Sequence, residues 1–148
     1  MLIALCSDEV YPVHAHVQQE LIRRGHEIRT FGALESGTLV PWALCAEEAA
    51  RAVANGACRE GIFFCWSGTG ISMAANKVYG IRAALCTDAG TVRAARKWNH
   101  ANVQCLSNRL LSEDLAKELL EAWFDDYPRE IGAAGVRELA AVDARGRE

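Results

Sequence analysis

The sequence lacks the features that mark several common classes of protein. Its six cysteines include no pair with the CxxC spacing, which leaves zinc-ribbon and thioredoxin-type sites without support. No apolar run approaches the ~18 residues that a membrane-spanning helix needs. No basic segment precedes the apolar N-terminal residues, as it would in a signal peptide. We therefore expect a cytoplasmic protein in which most cysteines are buried, reduced and structural.

Concentrated positive charge is also absent. Sixteen basic and nineteen acidic residues give a net charge of −3, and no run of Lys and Arg forms the positive face that nucleic acids require. We expect neither a nucleic-acid partner nor a membrane partner. The 148 residues, 51% of them hydrophobic and 24% charged, fit one globular domain that buries its core without a metal or disulfide bond.

Short apolar runs alternate along the chain with amphipathic segments. We predict strands at 2–6, 27–31, 61–65, 81–86 and 102–106, a loop at 32–41, and helices at 13–24, 42–55, 71–77, 88–97, 112–124 and 135–144. This alternation predicts an α/β fold of a single domain, 1–148: a three-layer α/β/α sandwich with a Rossmann-like five-stranded parallel sheet. Ligands of such sheets bind beyond the carboxyl ends of the strands.

The most informative segment is CWSGTGISMAANK, from Cys65 to Lys77, which joins a strand to a helix through a glycine turn. Free N–H groups in such a turn can bind phosphate, carboxylate or a developing enediolate. The pattern is neither a Walker A loop nor GxGxxG, and a purely structural turn is the alternative. Cys65 ends its strand where the helix N-terminus would lower a thiol pKa, so its thiolate can act as a general base.

This segment, with GIRAA at 80–84, Asp8, Asn99 and Asn108-Arg109, resembles the ribose-5-phosphate isomerase B and galactose-6-phosphate isomerase (LacA/LacB) family. The resemblance covers residues 1–125. It implies homodimers, with tetramers as an alternative, an active site shared between subunits, and a C-terminal segment (128–148) that reaches the partner. It also implies aldose–ketose isomerisation through a cis-enediolate, without metal or organic cofactor.

The resemblance further implies roles for individual residues. Cys65 would be the base that moves a proton between C2 and C1, assisted by Ser67, because Ile71 occupies the position of the alternative glutamate base. The enediolate would be stabilised by Asn99 and by the backbone amides of the turn, and sugar hydroxyls would be bound by Asp8. The turn amides belong to Gly68, Thr69 and Gly70, and the other substrate-binding positions are Glu9, Ser72, Trp98, His100 and Arg109.

Two of these positions depart from the family's pattern. Glu9 stands where a histidine holds the substrate phosphate, and Trp98 stands where a histidine opens the sugar ring. His100 is the candidate replacement for that ring-opening histidine. Arg109 matches one phosphate-side arginine, whereas the two arginines of the C-terminal segment do not align. We therefore expect a sugar or sugar-phosphate isomerase for which ribose 5-phosphate is in doubt; a four-carbon sugar phosphate forms no comparable ring.

Two other functions stay open from the sequence. A catalytically silent protein could bind a sugar or small anion in the same cleft. A hydrolase with a nucleophilic cysteine needs a His or acidic partner, and none is obvious in the sequence. His14 and His16 follow the first strand end; we expect a solvated helix start for both, and the alternative is that one of them reaches the site in place of the missing histidine.

Overall fold

The computed structural model describes all 148 residues, from Met1 to Glu148. The strands are β1 (Leu2–Ser7), β2 (Glu27–Gly32), β3 (Glu60–Cys65), β4 (Ala83–Leu85) and β5 (Val103–Ser107). The helices are α1 (Val13–Arg23), α2 (Ala33–Ser36), α3 (Trp42–Ala54), α4 (Thr69–Ala75), α5 (Ala89–Asn99), α6 (Glu113–Phe124) and α7 (Ala133–Arg145). None of these helices is both long and apolar enough to span a membrane.

The five strands form one parallel sheet in the order β2-β1-β3-β5-β4, which confirms the predicted architecture. The chain leaves β1 for β2 on one side and then crosses to β3 on the other. A crevice therefore opens between the carboxyl ends of β1 and β3, at the point where the strand order reverses. The register places Ser7 opposite Phe64 and Cys65 opposite Ser107, so the loops that follow these three strands start side by side.

Two apolar clusters fill the space between the sheet and its helices. Every residue of β3 is buried, and its side chains alternate between the two clusters. Phe63 and Cys65 pack with residues of α3 and α4, whereas Ile62 and Phe64 pack with residues of α1, α5 and α6. Trp123 of α6 is fully buried in the second cluster, as expected of a packing residue. Cys65 thus lies at the end of a central strand with both faces covered.

Three elements differ from the sequence prediction. β4 is shorter than the predicted 81–86, and the side-chain amides of Asn76 and Asn102 bond to the backbone of Arg82 and Ala83 at its start. α4 begins at Thr69 rather than at residue 71, so two residues of the predicted glycine turn are helical. The predicted loop at 32–41 contains the short helix α2, which begins after Gly32 turns the chain at a φ of 66°. A side chain at that glycine would collide with the Ser7 carbonyl oxygen, so the turn requires glycine.

Candidate active site

The carboxyl ends of β1, β3 and β5 bring most of the predicted site residues to one edge of the sheet. Asp8 and Glu9 follow β1, the glycine turn follows β3, and Arg109 follows β5. Backbone hydrogen bonds connect the last two loops: the N–H of Asn108 donates to the Cys65 carbonyl at 2.9 Å, and the Arg109 N–H donates to that of Trp66 at 3.1 Å. These bonds fix the end of β3 against the loop that carries Arg109.

Cys65 lies at the surface end of the first apolar cluster, with 5% of the residue exposed. Its thiol has a neighbouring thiol, that of Cys105 on β5. Burial raises the pKa of Cys105 well above its usual range, and the charges of Cys86 and Cys65 add to this effect. Ser72, a predicted substrate-binding residue, lies near this thiol, and its hydroxyl acts to lower the pKa of Cys105.

The turn after β3 depends on glycine at one position. Gly68 has a φ of 78°, and a Cβ atom there would lie 2.6 Å from Leu85 Cδ1 and 3.0 Å from the Leu106 carbonyl carbon. The Ser67 hydroxyl is 2.6 Å from the Thr69 hydroxyl and accepts a 3.4 Å hydrogen bond from the Thr69 N–H. The turn therefore holds the Ser67 side chain beside the first residues of α4.

Asp8 presents an unsatisfied oxygen at this edge. Its Oδ1 is buried and has no hydrogen-bond partner in the chain. Burial raises the pKa of the Asp8 carboxyl, and the negative charge of Glu9 adds to that shift. The Asp8 backbone is fixed, because its carbonyl accepts from the Val40 N–H at 3.0 Å. A buried acceptor without a partner is costly, and a ligand hydroxyl is a suitable donor for it.

Arg109 is the cationic residue of this group. Its guanidinium carbon lies 4.9 Å from the centroid of the exposed Trp66 ring, a cation–π contact that holds the side chain over the loop after β3. Glu9 points to solvent and accepts a 3.3 Å hydrogen bond from the Tyr11 hydroxyl. Nowhere in the chain do three or more His, Cys, Asp or Glu side chains converge as metal ligands would.

Three predicted residues, Trp98, Asn99 and His100, lie at the opposite edge of the sheet. They end α5, which starts at the carboxyl edge after β4 and runs eleven residues, about 16 Å, back to the amino edge. The Nε2 of His100 is 2.7 Å from the carbonyl oxygen of Ile131, just before α7. One subunit therefore does not bring these three residues to Cys65.

A cavity of about 490 Å³ lies at this amino edge, between α7 and the residues around β4. Asn99 lines it, together with apolar residues of α7 and the loop before β4. The apolar lining includes Tyr79, Ile81, Val136, Leu139 and Val142. No residue of α7 is buried, and Leu139 and Val142 are exposed apolar side chains.

A buried hydrogen-bond network behind the carboxyl edge was missed by the sequence analysis. We expected His14 at a solvated helix start, which is wrong: it is 1% exposed. Burial lowers the pKa of His14, while its hydrogen bond to Asn108 acts to raise it. The signal was its spacing, because His14 lies three and seven residues before Val17 and Leu21 on the apolar face of α1. The Asn108 partner is 94 residues away and could not be predicted.

Comparison with known proteins identifies relatives along the whole chain. The family model described as Ribose/Galactose Isomerase matches residues 3–140. Ribose-5-phosphate isomerase B of Escherichia coli is 35% identical over 97% of each chain. D-erythrulose-4-phosphate isomerase of Pectobacterium atrosepticum is 45% identical over 76 residues, which cover 51% of this chain and 50% of that protein. A solved structure of ribose-5-phosphate isomerase B from Clostridium thermocellum superimposes with a TM-score of 0.88 at 33% identity, covering 98% of this chain and 99% of that one.

Proposed function

The chain belongs to the ribose/galactose isomerase family and is an isomerase, and we propose that it interconverts the aldose and ketose forms of a sugar phosphate through a cis-enediolate. The observation that carries this proposal is the pairing of β1 with β3, which starts the loop that carries Asp8 beside the strand end that carries Cys65. Open sheets bind their ligands at that crevice. The reaction is redox-neutral overall, because one substrate carbon is reduced as its neighbour is oxidised.

Cys65 is the proposed base. Its thiolate removes the proton from C2 of the aldose, and the C2–H electron pair enters the C1–C2 double bond of the enediolate. The resulting thiol returns the proton to C1, and the C2 oxygen becomes the ketose carbonyl. The hydroxyl proton must move from the C2 oxygen to the C1 oxygen, and Ser67, which bonds to Thr69 in the turn after Cys65, is the proposed relay.

The remaining groups of this edge bind the substrate. The amides of Gly68, Thr69 and Gly70 lie at the end of the turn and the start of α4, and we propose that they stabilise the developing oxyanion. The half-buried Asp8 carboxylate accepts from a sugar hydroxyl. Arg109 pairs with the phosphate, since a guanidinium can bind two phosphate oxygens at once.

We further propose that the site is completed by a second copy of the chain in a homodimer. Trp98, Asn99 and His100 lie at the amino edge, so they can contribute to catalysis only at the Cys65 site of a partner. The exposed apolar residues of α7, Leu139 and Val142, lie beside Asn99 and fit an interface between subunits.

The proposed substrate is a four-carbon sugar phosphate rather than ribose 5-phosphate. Trp98 is 56% exposed, and its indole cannot transfer the proton that ring opening requires. His100 is already bonded to the Ile131 carbonyl, which argues against its taking over that role. A four-carbon sugar phosphate is open-chain and needs no ring opening. The relative named D-erythrulose-4-phosphate isomerase acts on a compound of this size.

The test compares turnover of D-erythrulose 4-phosphate and D-ribose 5-phosphate by the wild-type protein and by Cys65→Ala. General-base catalysis contributes about 10²- to 10⁴-fold, so the variant should lose at least about 100-fold in kcat with the better substrate. Cys58→Ala is the matched control, because Cys58 is equally buried but precedes β3 at the opposite edge. Full activity of Cys65→Ala would refute the mechanism, and thermal stabilisation by both compounds without turnover would favour a silent binding protein.

Mixing two inactive variants tests the shared site. Cys65→Ala and Asn99→Ala homodimers should each be inactive, but a mixed dimer keeps one site with Cys65 from one chain and Asn99 from the other. Equal mixing should restore about a quarter of the wild-type activity, since about half the dimers are mixed and one of their two sites is intact. If each site took both residues from one chain, mixing would restore nothing.

A further inference from the structure

We infer that His14 and Asn108 form a positioning network that holds the carboxyl-edge loops in their reactive arrangement. The Tyr11 N–H donates to His14 Nδ1 at 3.1 Å, and His14 Nε2 lies 2.7 Å from Asn108 Oδ1. The Asn108 Nδ2 donates to the Ser7 hydroxyl at 3.3 Å, and that hydroxyl donates to the Glu9 carbonyl at 2.6 Å. This inference rests on the proposed function, because it assigns the network to the Cys65 site.

The direction of every bond in this network is fixed by its first member. A backbone N–H can only donate, so His14 Nδ1 must accept and the ring proton must reside on Nε2. Nε2–H then donates to the Asn108 oxygen, which leaves the amide nitrogen to face Ser7. Protonation of His14 would place a second proton against the Tyr11 N–H and break the chain of bonds at its start. The network therefore requires a neutral histidine with one defined tautomer.

The network joins the loops that carry the proposed catalytic groups. Asn108 bonds to Ser7 through its side chain and to the Cys65 carbonyl through its backbone N–H, at 2.9 Å. Ser7 bridges to the Glu9 carbonyl across Asp8, which fixes the turn that carries the Asp8 carboxylate. The distance between Asp8 and Cys65 is thus set by buried polar bonds rather than by apolar packing alone.

The burial of these groups argues against a role in folding alone. His14, Asn108 and Ser7 are 1%, 6% and 0% exposed, and the His14 ring packs against Phe64 at a centroid distance of 4.5 Å. An apolar core at this place would need no matched donors and acceptors, whereas a polar network fixes one geometry and tolerates no other. None of the three side chains is a solvated surface group, and their bonds to the Glu9 and Cys65 carbonyls connect them to the loops that carry Asp8 and Cys65.

The test is a double-mutant cycle on kcat/KM with the substrate that the wild-type protein turns over best. His14→Phe keeps the ring shape against Phe64 but removes both bonds, and it should lower kcat/KM about 10- to 100-fold, as small misplacements of catalytic groups do. His14→Gln keeps a donor toward Asn108 and should recover most of that loss. In an Asp8→Ala background, His14→Phe should lower kcat/KM less than about 3-fold, because the residue that His14 positions has been removed.

Glu20→Gln is the matched control on the same helix. Glu20 is buried and accepts hydrogen bonds from Arg23 and Arg24, but it lies at the opposite end of α1. This variant should change thermal stability and leave kcat/KM unchanged. Imidazole nitrogen NMR of the wild-type protein at pH 7.5 should show His14 as the neutral Nε2–H tautomer.

Each outcome decides between the positioning role and its alternatives. Additive effects of His14→Phe and Asp8→Ala, full kcat/KM in His14→Phe, or a His14 proton on Nδ1 would overturn the positioning role alone. Absence of turnover by the wild-type protein with both sugar phosphates would overturn the proposed function and this inference with it.

Discussion

Substitution of Gly68 by alanine tests the geometry of the turn next to Cys65. The residue has a φ of 78°, a conformation that costs a residue with a Cβ roughly 1–2 kcal/mol. The added carbon would also meet Leu85 Cδ1 at 2.6 Å and the Leu106 backbone at 3.0 Å. Leu85 can rotate away, but the Leu106 backbone cannot, so overpacking adds roughly 1–3 kcal/mol. We expect Gly68→Ala to lower the free energy of unfolding by roughly 2–5 kcal/mol.

Gly25→Ala separates the steric contribution from the backbone contribution. Gly25 has a similar φ of 86°, and nothing lies within 4 Å of a Cβ atom built there. Backbone strain alone should therefore lower the free energy of unfolding of this variant, by roughly 1–2 kcal/mol. Urea denaturation followed by circular dichroism measures both variants, and their difference should be roughly 1–3 kcal/mol. Equal destabilisation of the two variants would show that the turn yields without strain and would refute the close packing described for Gly68.

Two further predictions concern buried titratable groups. Glu60→Gln removes the charged partner of the buried Arg96, 2.8 Å away, and should lower the free energy of unfolding in urea by about 3–5 kcal/mol. Glu47→Gln breaks an exposed pair and should lower it by no more than about 0.5 kcal/mol. Burial lowers the pKa of His14 from 6.5, and partial burial lowers that of His26. The unfolded chain therefore binds protons more readily than the folded chain, and the free energy of unfolding should decline as the pH falls below about 6.5. Melting temperatures at pH 7.5 and 5.5 measure this decline, and His14→Gln and His26→Gln should each reduce it; an unchanged pH dependence in both variants would contradict the assignment.

The fold was predictable because its signals are local. Buried apolar strands such as β3 and capped amphipathic helices such as α6 follow from short stretches of sequence, and the Ser112 hydroxyl does accept from the Leu115 N–H as a capping residue should. The order of the strands depends on contacts between distant segments, and the sequence pattern did not indicate it. The side-chain bonds of Asn76 and Asn102 to the backbone at the start of β4 also join distant segments, and the sequence pattern did not indicate them.

The candidate site was predictable to the extent that its residues follow strand ends. Asp8, Cys65 and Arg109 each come directly after or at the end of a strand, and parallel strands bring such residues together. Asn99 ends a helix instead, and a helix between parallel strands returns the chain to the opposite edge. The resemblance implied a role for Asn99 without its location in the subunit. The burial of His14 could have been predicted from its spacing on the apolar face of α1, but its partner, Asn108, follows β5 and lies 94 residues away.

The charges of the carboxyl edge bear on how a single subunit could bind a phosphate. Asp8 and Glu9 lie together there with Arg109 as their cationic neighbour, so the loops of one chain favour a sugar more than a dianion. Burial raises the pKa of the Asp8 carboxyl, but this supplies no positive charge. Exposed cations lie instead in the segment before α7, at Arg129, and on α7, at Arg137. A partner subunit that brings Asn99 to Cys65 would also bring part of this positive surface. The proposed dimer therefore supplies both the residues and the positive charge that the carboxyl edge of one subunit lacks.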